Sequence, residues 1–309
     1  KLALKNEIEA YNIPQGIISH LYRDIASGKP GVLTKVGLGT FADPRVEGSK
    51  INRLAKDNLI DLIEIKGDEF LFVPTFPIDT AILRGSIADI NGAISMRNEA
   101  LLIDNLAQAM AAKNSNGIVI VQVEQILDEQ LPSREVHIPS GLVDIVVLAQ
   151  AKNHFQTYTC KYSPYLDGSQ RKTDWQNSKK ILDQKKIIAR RAFLELPKSK
   201  QIINLGIGTP EVLADIAQEE GKIDQLILTT EAGVHGGLPS GGLSFGTSIN
   251  TDTIITQNQQ FDFMMEGVFI PRSWEWRRLI KSVTLMYHDF LDGWRVQEDL
   301  STLVVLQGI

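Results

Sequence analysis

Short apolar runs that end in glycine turns and lead into amphipathic helices recur along this chain, and that alternation leaves few architectures open to it. "VLTKVGLGTF" (32–41) carries an apolar strand into a turn at Gly37 and Gly39. "QIINLGIGTPEVLADIAQ" (201–218) does the same at Gly206 and Gly208, then enters a helix with Pro210 near its first turn. "IVIVQVEQIL" and "LVDIVVLA" are β-branched runs of the kind that parallel sheets bury on both faces. "IPQGIISHLYRDIASGKPG" reads as a turn and then a helix, with Ile17, Ile18, Leu21 and Ile25 on one face and Gly28 near its end. Two hairpins interrupt the alternation. "LIDLIEIKGDEFLFV" turns at Lys66, Gly67 and Asp68, and "TAILRGSIADINGAISM" at Asp89, Ile90, Asn91 and Gly92. The pattern predicts an α/β fold made of two open units with largely parallel sheets.

The units are expected at 1–156 and 179–263. Between them, 157–178 is polar, turn-rich and without period, which suits a linker. The second unit opens with a helix in "KKILDQKKIIARRAFLEL". Residues 264–309 form an unassigned tail: a helix containing Trp274 and Trp276, Trp294 beyond it, and a closing strand in "LSTLVVLQGI". Gly-x-Gly-Thr follows an apolar strand in both units, a short echo consistent with two related halves.

Composition excludes several functions. The chain of 309 residues carries 32 basic and 37 acidic side chains, a net charge of −5, so no basic stripe is available for nucleic acid. Cys160 is the only cysteine, which rules out an internal disulfide or a thiolate zinc site and points to the cytoplasm. No apolar run is long enough to span a bilayer, and "KLALKNEIEAYNIPQG" lacks the pattern of a signal peptide. That opening has no methionine, so the chain is expected to be part of a longer protein. No metal site is expected: His20, His137, His154, His235 and His288 sit at no metal-ligand spacing.

The glycine turns invite a dinucleotide reading, but neither has glycine in the third place of G-x-G-x-x-G, and no Gly-Lys-Ser/Thr closes a P-loop. They serve equally well as close-packing turns or as donors of backbone N–H groups to an anion. No G-x-S-x-G elbow occurs. "LILTTEAGVHGGLPSGG" (226–242) is more informative. It places a single carboxylate, Glu231, at the end of an apolar strand and follows it with Gly233, Gly236, Gly237, Gly241 and Gly242. Strand C-terminal ends are where α/β sheets bind ligands, and glycine lets backbone and substrate approach closely. Partial burial would make the carboxylate a stronger nucleophile. A surface acid before a flexible hairpin is the plainer alternative. His235, within the loop, suits loop stabilisation better than substrate binding.

"NLGIGTPEVLADIAQEEG" followed by "LTTEAGVHGGLPSGG" resembles the second half of the family I CoA-transferases, where an N-x-G-x-G-x-P turn precedes a strand ending in the catalytic glutamate. "YNIPQGIISHLYRDIASGKPG" and "VGLGTFADPR" resemble the P-Q-G and G-x-G-T segments of the first half, in the fused order of single-chain acetate and propionate enzymes. The resemblance covers roughly 1–263. It implies that Glu231 attacks an acyl-CoA thioester and then carries CoA as a covalent glutamyl thioester. It implies that Gly233, Gly236 and Gly237 shape the loop beside the glutamate, that Asn204, Gly206 and Gly208 support it, and that Gln15, Gly16, Gly37 and Gly39 face it from the first half. CoA would be a co-substrate with no permanently bound cofactor. The partners would be acyl-CoA, a short-chain carboxylate and further copies of the chain in a homo-oligomer, with neither nucleic acid nor membrane.

Two departures stand against the family pattern. The strand and glycine-rich loop that precede "PQG" are absent, and a "DGGGLD"-type stretch is replaced after Phe263 by "MMEGVFIPRSWEWRRL". The chain therefore reads as truncated at both ends. Transfer of CoA leads the expectations. Beside it stand acyl-CoA hydrolysis, an inactive remnant that binds CoA or a partner subunit, and, most distantly, a dinucleotide-linked dehydrogenase.

Overall fold

The structure is a computed structural model, and it describes residues 1–173, 181–196, 201–264 and 305–307. The chain divides into two compact units. The first comprises Lys1–Arg97, Asp104–Gln150 and the described residues from Phe261 onward; the second comprises Asn98–Ile103, Ala151–Gln260 and the short strand near the end. The polypeptide thus enters the second unit three times. It leaves the first visit at Ile103, a β-branched residue held at φ 50°, a conformation that costs such side chains about 1–2 kcal/mol.

In the first unit, α1 (Gln15–Ala26) buries Ile17, Leu21 and Ile25 as its period predicts, while Ile18 stays exposed. Strand β1 (Gly31–Thr34) pairs antiparallel with β3 (Asp68–Pro74), which pairs antiparallel with β2 (Asp61–Ile65). The predicted hairpin joins β2 to β3 through Lys66 at φ 54° and Gly67 at φ 85°, both positive as a two-residue hairpin turn requires. The face of α1 packs on Val32, Leu71 and Val73.

Strand β4 (Thr80–Arg84) differs from the expected hairpin partner. It enters a parallel sheet of order β4-β7-β9, with β7 (Ile118–Val123) in the middle and β9 (Ile145–Leu148) at the far edge. Only its continuation forms the hairpin, β5 (Ile87–Ala88) against β6 (Ile94–Ser95), with β8 (Gln125–Ile126) parallel to β5. Two of the Asp89 carboxylate's backbone bonds, from Asn91 and Ala93, tie that turn together. Helix α2 (Asn105–Asn114) covers one face of the parallel sheet, setting Ala109 and Ala112 against Val119, Val121 and Val123.

In the second unit, α3 (Gln184–Leu194) is capped by Asp183, whose side chain accepts from the Lys186 N–H at 2.8 Å. The five-stranded sheet has the order β15-β12-β11-β10-β16. Strands β10 (Gln201–Asn204) and β11 (Leu226–Thr229) are parallel and joined through α4 (Val212–Glu219). Strands β12 (Val234–His235), β15 (Thr253–Ile254) and β16 (Val305–Gln307) add antiparallel neighbours. Strands β13 (Leu238–Pro239) and β14 (Ser248–Ile249) form a separate ribbon, and α5 (Gln257–Phe263) follows. Ile203, Leu205, Leu213, Ile216 and Leu228 make the core, with Ala189 and Phe193 of α3 packed on it. The closing strand of the tail is present as β16, whereas Trp274, Trp276 and Trp294 lie outside the described residues. Residues 157–173, read from composition as a linker, are bonded to the second unit: Asn250 and Lys172 exchange hydrogen bonds, and Arg171 pairs with Asp252 at 2.9 Å.

Candidate active site

The parallel register pairs Asn204 with Thr229, so Gly206 and Glu231, each two residues further on, leave the sheet at the same C-terminal end. Polar contacts fix the backbone beneath Glu231. Asn204 Nδ2 donates to Thr229 Oγ1 at 3.1 Å, and the Leu205 N–H donates to the Thr229 carbonyl at 2.8 Å. Thr230 is fully buried, and its hydroxyl donates to the Gly246 carbonyl at 2.8 Å. Glu231 itself is half-buried. Burial raises its pKa above the ordinary carboxylate range, and a hydrogen bond from its own backbone N–H offsets this in part. The product is a poorly solvated carboxylate at a strand end.

The glycines beside it are there for close approach. A Cβ on Gly233, at φ 103°, would lie 2.2 Å from the Ile255 carbonyl oxygen. On Gly236 it would meet the Asp252 carboxylate at 2.2 Å, and on Gly237 the Ile249 carbonyl oxygen at 2.3 Å. Gly208, at φ 94°, has nothing within 4 Å of that position, so its turn faces open space. His235 is bonded within the loop: Gln260 Oε1 accepts from its Nε2 at 2.6 Å, and its carbonyl accepts from the Asp252 N–H and the Thr251 hydroxyl.

The remaining candidates belong to the first unit. Gln15 is the exposed first residue of α1, and Gly16 is buried behind it. Gly37 and Gly39 adopt φ 92° and 73° in the turn after β1. The Gly39 N–H is already donated, at 2.8 Å, to Asp43, a fully buried carboxylate that Arg45 also holds through its backbone and guanidinium. These bonds, that from the Arg45 side chain foremost, keep Asp43 far below the usual carboxylate range.

Sequence reading missed several supports. Ser244, in the loop after Glu231, is held by the hydroxyls of Thr157 at 3.2 Å and Thr159 at 2.6 Å. Leu101, from the early visit to the second unit, lies beside Gly246, where a Cβ would be 3.8 Å from its Cδ1. A serine or threonine in a polar stretch carries no signal that its partner stands some 85 residues away. Among the described residues no group of histidine, cysteine and carboxylate side chains could hold a metal ion, and no helix is long and apolar enough to cross a membrane.

A parallel strand pair with a partly buried glutamate and glycine turns at its C-terminal end marks an α/β protein with a ligand-site geometry. Residues 1–149 match the family described as Coenzyme A transferase. The chain is 44% identical over 268 residues to the caffeate CoA-transferase of Acetobacterium woodii, covering 86% of this chain and 51% of that one. It is 36% identical over 269 residues to the acetate CoA-transferase YdiF of Escherichia coli K12, covering 86% and 50%. The crystal structure of YdiF from E. coli O157:H7, as a thioester complex with CoA, superposes with a TM-score of 0.76 at 34% identity, covering 85% of this chain and 51% of that one. The chain belongs to the coenzyme A transferase family and spans about half the length of the curated relatives it matches.

Proposed function

We propose that this chain carries the covalent step of CoA transfer on Glu231, moving CoA between a short-chain acyl-CoA and a carboxylic acid. The observation that carries the reading is the partly desolvated Glu231 carboxylate at the C-terminal end of β11, flanked by glycines. The relatives named as CoA-transferases, and the CoA thioester complex of YdiF, support it.

The Glu231 carboxylate attacks the thioester carbonyl, expelling CoA thiolate and leaving an acyl-glutamyl anhydride. The thiolate attacks the glutamyl carbonyl of that anhydride, giving a glutamyl-CoA thioester and releasing the first carboxylate. An incoming carboxylate attacks the glutamyl-CoA carbonyl and expels the thiolate again. The thiolate then takes the new acyl group and leaves Glu231 free. Each attack builds a tetrahedral oxyanion, for which backbone N–H donors of the glycine segments are the candidates. Desolvation helps the first step by removing water from the nucleophile.

Gly233, Gly236 and Gly237 shape the loop, and Asn204, Gly206 and Gly208 support it. Gln15, Gly16, Gly37 and Gly39 are assigned to substrate handling on the family resemblance. The same resemblance assigns a homo-oligomer with CoA as co-substrate, and the lone Cys160 points to the cytoplasm.

The test is intact mass after incubation with acetyl-CoA, with peptide mapping. A CoA adduct on the Glu231 peptide is expected, absent in Glu231→Ala and discharged by acetate. Discharge by water alone would make the protein a hydrolase. A folded chain with no adduct would leave the CoA-binding remnant in place of the enzyme.

A further inference from the structure

Glu231 is carried on a turn whose two ends are tied down in different ways. The turn runs from Thr230 to Gly233 and is closed by the Gly233 N–H, which donates to the Thr230 carbonyl at 3.2 Å. Backbone holds the far end, where the Gly233 carbonyl accepts from the Ile255 N–H at 2.8 Å. A side chain holds the near end: the Thr230 hydroxyl donates to the Gly246 carbonyl at 2.8 Å. Gly246 also meets the turn at Ala232, since a Cβ on Gly246 would lie 3.4 Å from the Ala232 Cβ. Thr230 and Ala232 are buried and Glu231 between them is half-buried, so both chain neighbours of the carboxylate rest on one residue. Gly246 is itself braced. The Ser240 N–H donates to the Thr247 carbonyl at 2.8 Å, the Thr247 hydroxyl donates to Ser240 Oγ at 3.0 Å, and Ser244 is held by Thr157 and Thr159.

We propose that Thr230 is a positioning residue for Glu231, its hydroxyl bond to Gly246 fixing the turn from which the carboxylate attacks. This deepens the covalent reading of Glu231 and rests on it. A fully buried place at a strand end could be filled by valine, which has threonine's shape and no hydroxyl to pair. A buried hydroxyl is costly unless bonded, and the bond made here joins the residue before the nucleophile to a braced loop. Attack requires the carboxylate oxygen in line and within about 3–3.5 Å of the thioester carbonyl carbon. A shifted turn therefore slows the attack more than it weakens substrate binding. Fully buried, Thr230 acts through the backbone and not on the substrate.

The test compares Thr230→Val, which keeps the shape and removes the donor, with Thr230→Ser, which keeps the donor, in the full chain. The readout is the rate of CoA adduct formation on Glu231 against acetyl-CoA concentration, taken below the melting temperature of every variant. Thr230→Val is expected to lower the saturating rate on the order of tenfold and to leave the half-saturating concentration unchanged, while Thr230→Ser reacts at close to the wild-type rate. If Thr230→Val does not fold, Thr230→Cys, a weak donor of nearly serine's shape, replaces it against Thr230→Ser with the same expectation. Saturating rates equal in all variants, with only the melting temperature lowered, would overturn the proposal and leave the bond a structural one. A rise in the half-saturating concentration alone would overturn it too. A folded wild type that forms no adduct removes the Glu231 reading and the proposal with it. A wild type that reacts, with variants that match it, removes the proposal alone.

Discussion

Glu231 shows at the level of one residue how reactivity opposes stability. Its carboxyl ionises in the unfolded chain in the ordinary range but holds its proton to higher pH in the folded one, because burial disfavours the charge. Stability from this group is therefore full below the ordinary carboxylate range and is lost as pH rises through the raised value. Glu231→Gln should melt higher than wild type at about pH 8, and the gap should close near pH 4, where both forms are neutral. Equal melting temperatures at both pH values would show that burial does not strain the carboxylate. Asp43 has the opposite sign: its depressed pKa makes its contribution one that acid removes. The place of Glu231 just past a strand end was legible in the sequence, because the apolar run at 226–228 stops shortly before it. Asp43 was not, since nothing in "TFADPR" announces a carboxylate folded back onto the Gly39 N–H.

At the scale of elements, the glycine loop works by packing backbone against backbone. Gly233 and Gly208 share a positive φ but differ in surroundings, one against the Ile255 carbonyl and the other in open space. Gly208→Ala should cost only backbone strain, about 1–3 kcal/mol, and Gly233→Ala should exceed it by the clash, as chemical denaturation would measure. Similar losses at the two positions would mean that the carbonyl contact is not what requires glycine at 233. Element types followed from periodicity wherever a run was long, as in α1 and β7. Pairing did not follow. "TAILRGSIADINGAISM" contains a real turn at Asp89, yet β4 joins a parallel sheet through β7, more than 30 residues later. A hairpin pattern is local information, whereas strand order is settled by which face the helices can cover.

At the scale of the molecule, one sheet face is left unusually bare among the described residues. In the parallel sheet β4-β7-β9, α2 covers one side, while Ile82, Ile118, Ile145 and Val147 on the other are exposed, Ile82 by 79%. Parallel sheets normally have both faces covered, and apolar patches of this kind drive association. Sedimentation velocity is expected to show species heavier than the 34.3 kDa monomer, as the proposed homo-oligomer requires; a lone monomer boundary at micromolar concentration would count against it. The half-length relation to the relatives bears on the same point, because it lets the Glu231 adduct experiment ask what this much of a transferase can do unaided.

The early visit of Asn98–Ile103 to the second unit has a consequence for synthesis. Leu101 settles beside Gly246, and the Ile103 carbonyl accepts from the Gln257 N–H at 3.0 Å, so this hexapeptide must wait for residues made some 150 positions later. On a ribosome adding roughly 5–20 residues per second, it spends about eight to thirty seconds without its partners. The second unit, and with it the ground on which Glu231 stands, is complete only once β16 has been made.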